Sequence, residues 1–356
     1  MESAILEVSR AAIAHNYDAI SRAVQGAEVM GVVKADGYGH GAVDVARVLC
    51  EAGARMVGVA SCDEAVELRV RGGFPPERLQ VVVLGGVAGL EEAAACVTWG
   101  LTPAIHDLGQ FDWLQAVGFT GRFWAKMDTG MSRLGLGDLN ALRQVATDTC
   151  RLPEYLMSHL ACADDRDHPL NREQWSRFVG ELELWPEGVG GSLLNSAGVA
   201  NFSDWGLGVV RPGIAIYGGD RRLNEALGLR RASVLRARVK QVRLVRAGRT
   251  VSYGATHQLL RDSKIAVLGI GYADGMPWHL SGVGRVSFGG ELCPIVGRVC
   301  MDYTMVDVSG TEVEPGDMVE VWGGVDGLDE VAEMAGTIGY ELLTRLGTRV
   351  RRVHVD

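Results

Sequence analysis

The stretch EVMGVVKADGYGHGAVDVARVLCEAGARMVGVA, residues 28–60, holds one complete structural unit, and its reading decides the fold. EVMGVVK (28–34) is a short, valine-rich apolar run that ends on Lys34, the texture of a strand buried on both faces. Gly37, Gly39 and Gly41 then give the chain a permissive turn. GAVDVARVLCEAGA follows, with Val43, Ala46, Val48 and Leu49 near helical spacing and Gly53 as a stop. MVGVA (56–60) begins the next apolar run. Strand, glycine turn, helix and strand make a βα unit, with Lys34 at the carboxyl end of its first strand.

The unit repeats. Further runs are QVVVLG (80–85), LTPAIH (101–106), RFWAKMD (122–128), YLMSHL (155–160), GGSLL (190–194) and GIAIYG (213–218), which with the first two makes eight. LNALRQVATDTC after Asp138 is another amphipathic helix between them. Eight βα units favour a closed TIM (β/α)8 barrel over an open sheet. From about residue 229 the pattern becomes alternating, in VLRARVKQVRLV, KIAVLGIGY, GRVSFGG, CPIVGRV and DMVEVWGG, the signature of a mainly β domain. The helical segments LDEVAEMAG and YELLTRLG follow. The expected division is 1–228 for the barrel and 229–356 for the β-domain, with AILEVS in residues 1–9 able to join the latter.

A chain of 356 residues with 47% apolar composition can bury two cores, and its formal charge of −9 argues against nucleic acid as a partner. A small substrate or another protein fits better. Cys50, Cys62, Cys96, Cys150, Cys162, Cys293 and Cys300 show no C-x-x-C spacing, so reduced thiols and no metal centre are expected. MESAILEVSR lacks a basic region before an apolar core, and no apolar run reaches membrane-spanning length. The expectation is a cytoplasmic protein without membrane association.

In a barrel of this type the site is built at the carboxyl ends of the strands. Lys34 ends the first strand, Lys126, Asp128 and Arg133 follow the fifth, His159 the sixth, and Asn195 and Ser196 the seventh, while Arg211 and Gly213 introduce the eighth. An amine at a water-poor strand end has a lowered pKa and is suited to imine chemistry.

VVKADGYGHGA (32–42) resembles the pyridoxal phosphate lysine motif of alanine racemases, and WAKMDTGMSRLGLG (124–137) is similar to that family's second signature. MSHLACAD, NSAG, RPGI, VSYGATH (251–257), IGYADG (270–275) and VGRVCMDYTMVDV (296–308) follow in the family's order, so the resemblance spans essentially the whole chain. It implies pyridoxal 5'-phosphate carried on Lys34, with Tyr38, Ser196 and the backbone of Gly213 and Ile214 at its phosphate. It implies Arg211 at the pyridine nitrogen, where a guanidinium has donors only and leaves the ring unprotonated. It implies His159 against the ring and linked to Arg211, with Asn195 in support. Arg133 would meet the phenolic oxygen and the substrate carboxylate, oriented by a carbamylated Lys126.

Inversion at carbon needs a second proton carrier on the opposite face. The resemblance assigns it to Tyr253, tuned by neighbouring cations including His159 and Arg211. Tyr272 would line the substrate path, the Met301 backbone would bind the substrate carboxylate, Asp302 would sit nearby, and Cys300 would be a packed thiol. Tyr253 and Met301 would reach the barrel of a second subunit, giving a homodimer with shared sites. The implied activity is an isomerase that interconverts L- and D-alanine, supplying D-alanine for peptidoglycan. A broader-specificity amino-acid racemase and a non-catalytic homeostasis protein that binds the same cofactor are the alternatives, the second resembling the barrel alone. A barrel decarboxylase would require a carboxylate where Arg211 stands. The chain departs from the family at Gly37, at TRVRRV near its end, and at Thr348, where some members carry a phosphate-binding tyrosine.

Overall fold

The computed structural model describes residues 2–24 and 26–356. Met1, part of the segment expected to join the β-domain, lies outside them. Strand Ala4–Ser9 alternates buried and half-buried side chains and runs antiparallel to the long strand Ser233–Val245, with Ala4 opposite Ala237. On its other edge it pairs in parallel with Arg351–Val355. Ala4–Ser9 is thus held between Ser233–Val245 and Arg351–Val355, the first and last strands of the β-region.

Seven parallel strands form a continuous curved sheet: Gly31–Val32, Met56–Val59, Gln80–Val83, Thr102–Ile105, Trp124–Lys126, Tyr155–Met157 and Gly190–Ser192. Val209–Val210 pairs in parallel with Glu28–Val29, the leading half of the first strand, and so closes the barrel. Across the remaining seam Arg211 N donates to Leu194 O at 2.9 Å and Ser192 Oγ to Val209 O at 2.7 Å. Met30, Met56, Val82, Ala104, Trp124, Met157 and Val209 fill the interior as one packed cluster. The barrel is thus a core and not a pore.

The eighth strand differs from its expected place. The sequence pattern places it at residues 213–218, yet Ile214–Tyr217 is a short 3-10 helix and the strand is Val209–Val210. A brief buried apolar run has no periodicity that separates strand from helix, and Pro212 removes a ladder donor. The shift matters for the site: Arg211 and Gly213 follow the eighth strand and do not precede it, which places them at the same rim as Lys34.

The helices Ala42–Glu51 and Asn140–Thr149 lie where their spacing puts them. In the β-region, Ser263–Leu268 and Thr304–Asp307 extend from the far half of Ser233–Val245, and Met318–Trp322, Arg285–Phe288 and Glu291–Pro294 from its near half. Leu328–Ala335 and Gly339–Thr344 return the chain to the barrel mouth as helices. All seven cysteines are free thiols. Among the described residues no helix is long and apolar enough to cross a membrane.

Candidate active site at the barrel mouth

A cavity of about 820 Å³ opens at the carboxyl ends of the strands, and Lys34, Tyr38, Lys126, Arg133, His159, Asn195, Ser196, Arg211, Gly213 and Ile214 all line it. A hollow of about 870 Å³ lies at the opposite pole, among strand starts such as Gln80 and Tyr155. Its Glu154 is already bonded to Gln80, Trp124 and Arg122, a network that plugs the barrel floor. The chemistry-bearing side chains are at the mouth.

Lys34 is half-buried, and burial first, then the Arg133 charge, lower its pKa. The turn behind it is left-handed: Ala35, Asp36, Gly37, Tyr38 and Gly39 all have positive φ. Three of these carry side chains, and each left-handed non-glycine residue is disfavoured by roughly 1–2 kcal/mol. Compensating bonds hold the turn, with Ala42 N donating to Asp36 Oδ1 at 2.9 Å and Arg352 Nε to Gly39 O at 2.9 Å. The turn delivers the Tyr38 hydroxyl to Gly213, where an added Cβ would stand 2.2 Å from it. Gly213 N and Ala215 N both donate to Ser196 Oγ, at 2.9 and 3.2 Å. Asn195 caps the helix Ser196–Asn201 through Gly198 N at 2.9 Å. Tyr38, Ser196 and Gly213 thus form a cradle that only glycine at 213 leaves open.

Arg211 is 4% exposed and donates to Ser192 Oγ at 2.5 Å, to Ser158 O and to Leu193 O, all neutral acceptors. Desolvation pulls its pKa down to about 9, which leaves it charged at neutral pH. The ring nitrogens of His159 lie 3.4 Å from Arg211 Nη2 and 3.3 Å from Asn195 Nδ2. Both neighbours are donors, so the ring must be neutral to accept from either. Burial and then the Arg211 charge hold its pKa well below the usual value. His159 therefore is not one of the cations expected to tune Tyr253. Lys126, 6% exposed, is lowered to about 8 by burial and by Arg211, Arg133 and Lys34. Asp128 is largely occupied with its own loop, its Oδ1 accepting from the N–H groups of Gly130, Met131 and Ser132.

Four cations therefore face one cavity. Glu341 is the single carboxylate lining it among the described residues, and it is bonded to Thr337 and Arg345. Such a donor set fits an anionic, planar ligand bearing a phosphate at the Tyr38 end, and pyridoxal phosphate is of that kind.

The β-region residues are not brought to this cavity. Tyr253, Tyr272 and Met301 are 72%, 47% and 54% exposed, and neither they nor Asp302 line it. Tyr253 sits in a turn whose preceding residue, Ser252, has φ 66° and is pinned by its hydroxyl to Arg298 O at 2.7 Å. Tyr272 N and Ala273 N donate to Cys300 O and Met301 O at 3.0 Å, tying two expected segments together. Asp302 accepts from Arg349, which also holds Asp274. Cys300 is packed against Ser252 and Arg298 O.

A cavity-lining residue escaped the sequence reading. Tyr340, in the terminal helix, lines the cavity with its ring centroid 6.2 Å from that of Tyr38, whereas Thr348 does not line it. The available signal was an aromatic inside the apolar YELLTRLG segment, which reads equally well as core.

Residues 8–221 match the family model described as alanine racemase, N-terminal domain, and residues 232–354 the alanine racemase, C-terminal domain. The alanine racemase of Marinobacter nauticus is 38% identical over 96% of both chains. That of Rhizobium meliloti is 41% identical over 99% of this chain and 97% of its own. Among solved structures, the alanine racemase of Bartonella henselae with covalently bound pyridoxal phosphate superposes with a TM-score of 0.90 at 34% identity over the whole of both chains.

Proposed function

The chain belongs to the alanine racemase family, and from that premise we propose that it interconverts L- and D-alanine with pyridoxal 5'-phosphate on Lys34. The observation that carries the reading is the cation-lined cavity that Lys34 and the Tyr38–Ser196–Gly213 cradle both line. When bound, the cofactor supplies an electron sink that acidifies the substrate Cα–H.

The chain's own residues do the rest. Lys34 Nζ would hold the cofactor covalently and, once displaced from it by the substrate's amine, would be the free base that moves the α-proton on the D-isomer's face. Tyr38, Ser196 and the backbone of Gly213 and Ile214 bind the phosphate. Arg211 donates to the pyridine nitrogen, and His159, fixed by Asn195, packs beside the ring. Arg133 has no carboxylate within salt-bridge range among the described residues, so its fork is available to the phenolic oxygen and the substrate carboxylate. Lys126, with a pKa near 8, has enough neutral amine to add to carbon dioxide. The new N–C bond releases one proton, and the resulting carbamate orients Arg133 and offsets the surrounding positive charge.

The opposite face needs a second carrier. The partner subunit's Tyr253 fills that role, with the partner's Met301 backbone at the substrate carboxylate, Tyr272 lining the approach and Asp302 nearby. Exposure of Tyr253, Tyr272 and Met301 on a single chain supports a homodimer. The working units are 1–228, apart from the strand Ala4–Ser9 that pairs with the β-region, and 229–356, and the setting is the cytoplasm, where D-alanine feeds peptidoglycan.

Incubation with L-alanine and the cofactor in deuterated water tests the activity. Optical rotation should fall to zero while deuterium enters Cα. Exchange without inversion would leave a one-base enzyme, and no exchange would leave a cofactor carrier. Serine and larger amino acids run in parallel read out the breadth of substrate.

A further inference from the structure

Glu64 reaches into the turn that carries Lys34. The segment SCDE (61–64) opens the helix Cys62–Val70, and the Ser61 hydroxyl caps it by accepting from Glu64 N at 3.4 Å. In an S-x-x-E capping box the glutamate turns back to the N–H of its own cap residue. Here it does not. Its Oε2 accepts from Ala60 N and its Oε1 from Ala35 N, each at 2.7 Å. Ala60 follows the second barrel strand and Ala35 follows Lys34, so one carboxylate ties two strand ends together.

The bond falls where the chain changes hand. Ala35, at φ 51° and ψ 53°, is the first of the five left-handed residues, and Lys34 is the last before them. A reversal with side chains at three of its five positions needs an outside hold, and charge-assisted bonds from a carboxylate to backbone N–H are among the stronger ones available. The Asp36 and Arg352 contacts secure the far end of the turn, whereas Glu64 secures the end next to the amine. Its negative charge also opposes burial and Arg133, which both favour the neutral form of Lys34.

We propose that Glu64 is a positioning residue for Lys34: by clamping the Ala35 and Ala60 N–H groups it fixes the left-handed turn in the setting that aims the amine at the substrate Cα. The inference rests on the two-carrier reading above, because it concerns one face of the substrate only.

The test uses the cofactor-loaded Glu64→Gln protein, which keeps the side-chain length but replaces one acceptor oxygen with a donor. Racemisation is followed in both directions with ordinary and α-deuterated alanine, alongside absorbance of the Lys34-bound cofactor and the melting temperature. We expect kcat to fall about tenfold with KM nearly unchanged, since misplacement by a fraction of an ångström weakens proton transfer more than binding. The α-deuterium isotope effect should rise with D-alanine as substrate, where Lys34 takes the proton, and stay constant with L-alanine. Ser61→Ala is the control: it removes the helix cap and lowers the melting temperature without moving the isotope effect. Equal isotope effects in variant and wild type, a rise in both directions alike, or a Ser61→Ala variant that behaves as Glu64→Gln would each overturn the assignment. Should Glu64→Gln not accumulate, Glu64→Asp, charged but one methylene shorter, is measured in the same way. A wild-type protein without α-proton exchange would overturn the racemase reading and this inference together, whereas exchange in the wild type with an unaffected Gln variant overturns this inference alone.

Discussion

At the barrel mouth Arg211 and Lys126 are 4% and 6% exposed, whereas Tyr253 and Met301 on the β-region stand 72% and 54% in the open. The first group is held in place by its own chain, through Ser192, Ser158 and the strand ends. The second is held only from behind, by the Ser252 hydroxyl and the Gly271 turn. A single chain therefore closes a cavity suited to an anion and leaves these β-region side chains facing outward, and on the proposed reading they are the other half of the site. Exposed large side chains of this kind are what the proposed second copy would cover.

Mixing experiments probe this contrast with the largest expected effect. Lys34→Ala and Tyr253→Phe proteins should each be inactive, the first also losing the borohydride-trappable bond to the cofactor and the second keeping it. If the two residues of one site come from different subunits, exchanging subunits between the variants creates dimers with one intact and one doubly altered site. With random reassortment activity should return to about a quarter of wild type, since half of the dimers are mixed and half of their sites are whole. A mixture that stays inactive after subunit exchange would place both residues in one chain and remove the contrast.

The next effect concerns the closed half alone. Gly213→Ala puts a methyl group 2.2 Å from the Tyr38 hydroxyl, so the left-handed turn or the cradle must shift. Cofactor affinity should drop by roughly tenfold or more, as for a site left without its best donor geometry. Titration of cofactor into the apo-protein checks it, and unchanged affinity would mean that the phosphate lies elsewhere.

Most of this mouth was legible in the sequence because each strand hands one or two polar residues to a common rim, so position along the chain already sorts them. Lys34, His159 and Asn195 could be read from their place at the ends of apolar runs. The eighth strand could not, since Val209–Val210 is only two residues long and the stronger apolar run beyond Pro212 is a buried 3-10 helix. Glu64 was hidden for another reason: its motif spells a local helix cap, and only the folded barrel brings Ala35 within its reach. His159 showed its position but not its protonation, which depends on the Arg211 and Asn195 donors around it.

A smaller effect tests how the cations of the closed half coexist. Lys126 has a pKa near 8 in the fold against 10.5 ordinarily, so from about pH 8 to 10.5 the unfolded chain binds more protons and stability rises with pH. Below that window both states are protonated and the destabilisation is fully present. In bicarbonate-free buffer at pH 7, Lys126→Met should raise the melting temperature by a few degrees, on the order of what one or two kcal/mol gives in a protein of this size. The gap should narrow as pH approaches 10, and added bicarbonate should narrow it at pH 8 by forming the carbamate. A gap independent of pH would mean that the amine is not strained by its neighbours.

Tyr340 reaches the closed half from beyond residue 229, and its effect should be the smallest. It lies between the β-region strands Met318–Trp322 and Arg351–Val355, yet the helix Gly339–Thr344 brings it to the barrel mouth beside Tyr38. Burial raises the phenol pKa of both tyrosines, that of Tyr38 to about 12, so both hydroxyls stay protonated and act as donors. Tyr340→Phe keeps the ring and its packing and removes one donor, which should weaken the cofactor about three- to tenfold, the worth of one modest hydrogen bond. Thr348→Val, outside the cavity, should leave affinity as it was. If instead Thr348→Val weakens the cofactor and Tyr340→Phe does not, the closed half extends further toward the chain end than its cavity indicates. The boundary between what one chain completes and what a second copy supplies would then have to be redrawn.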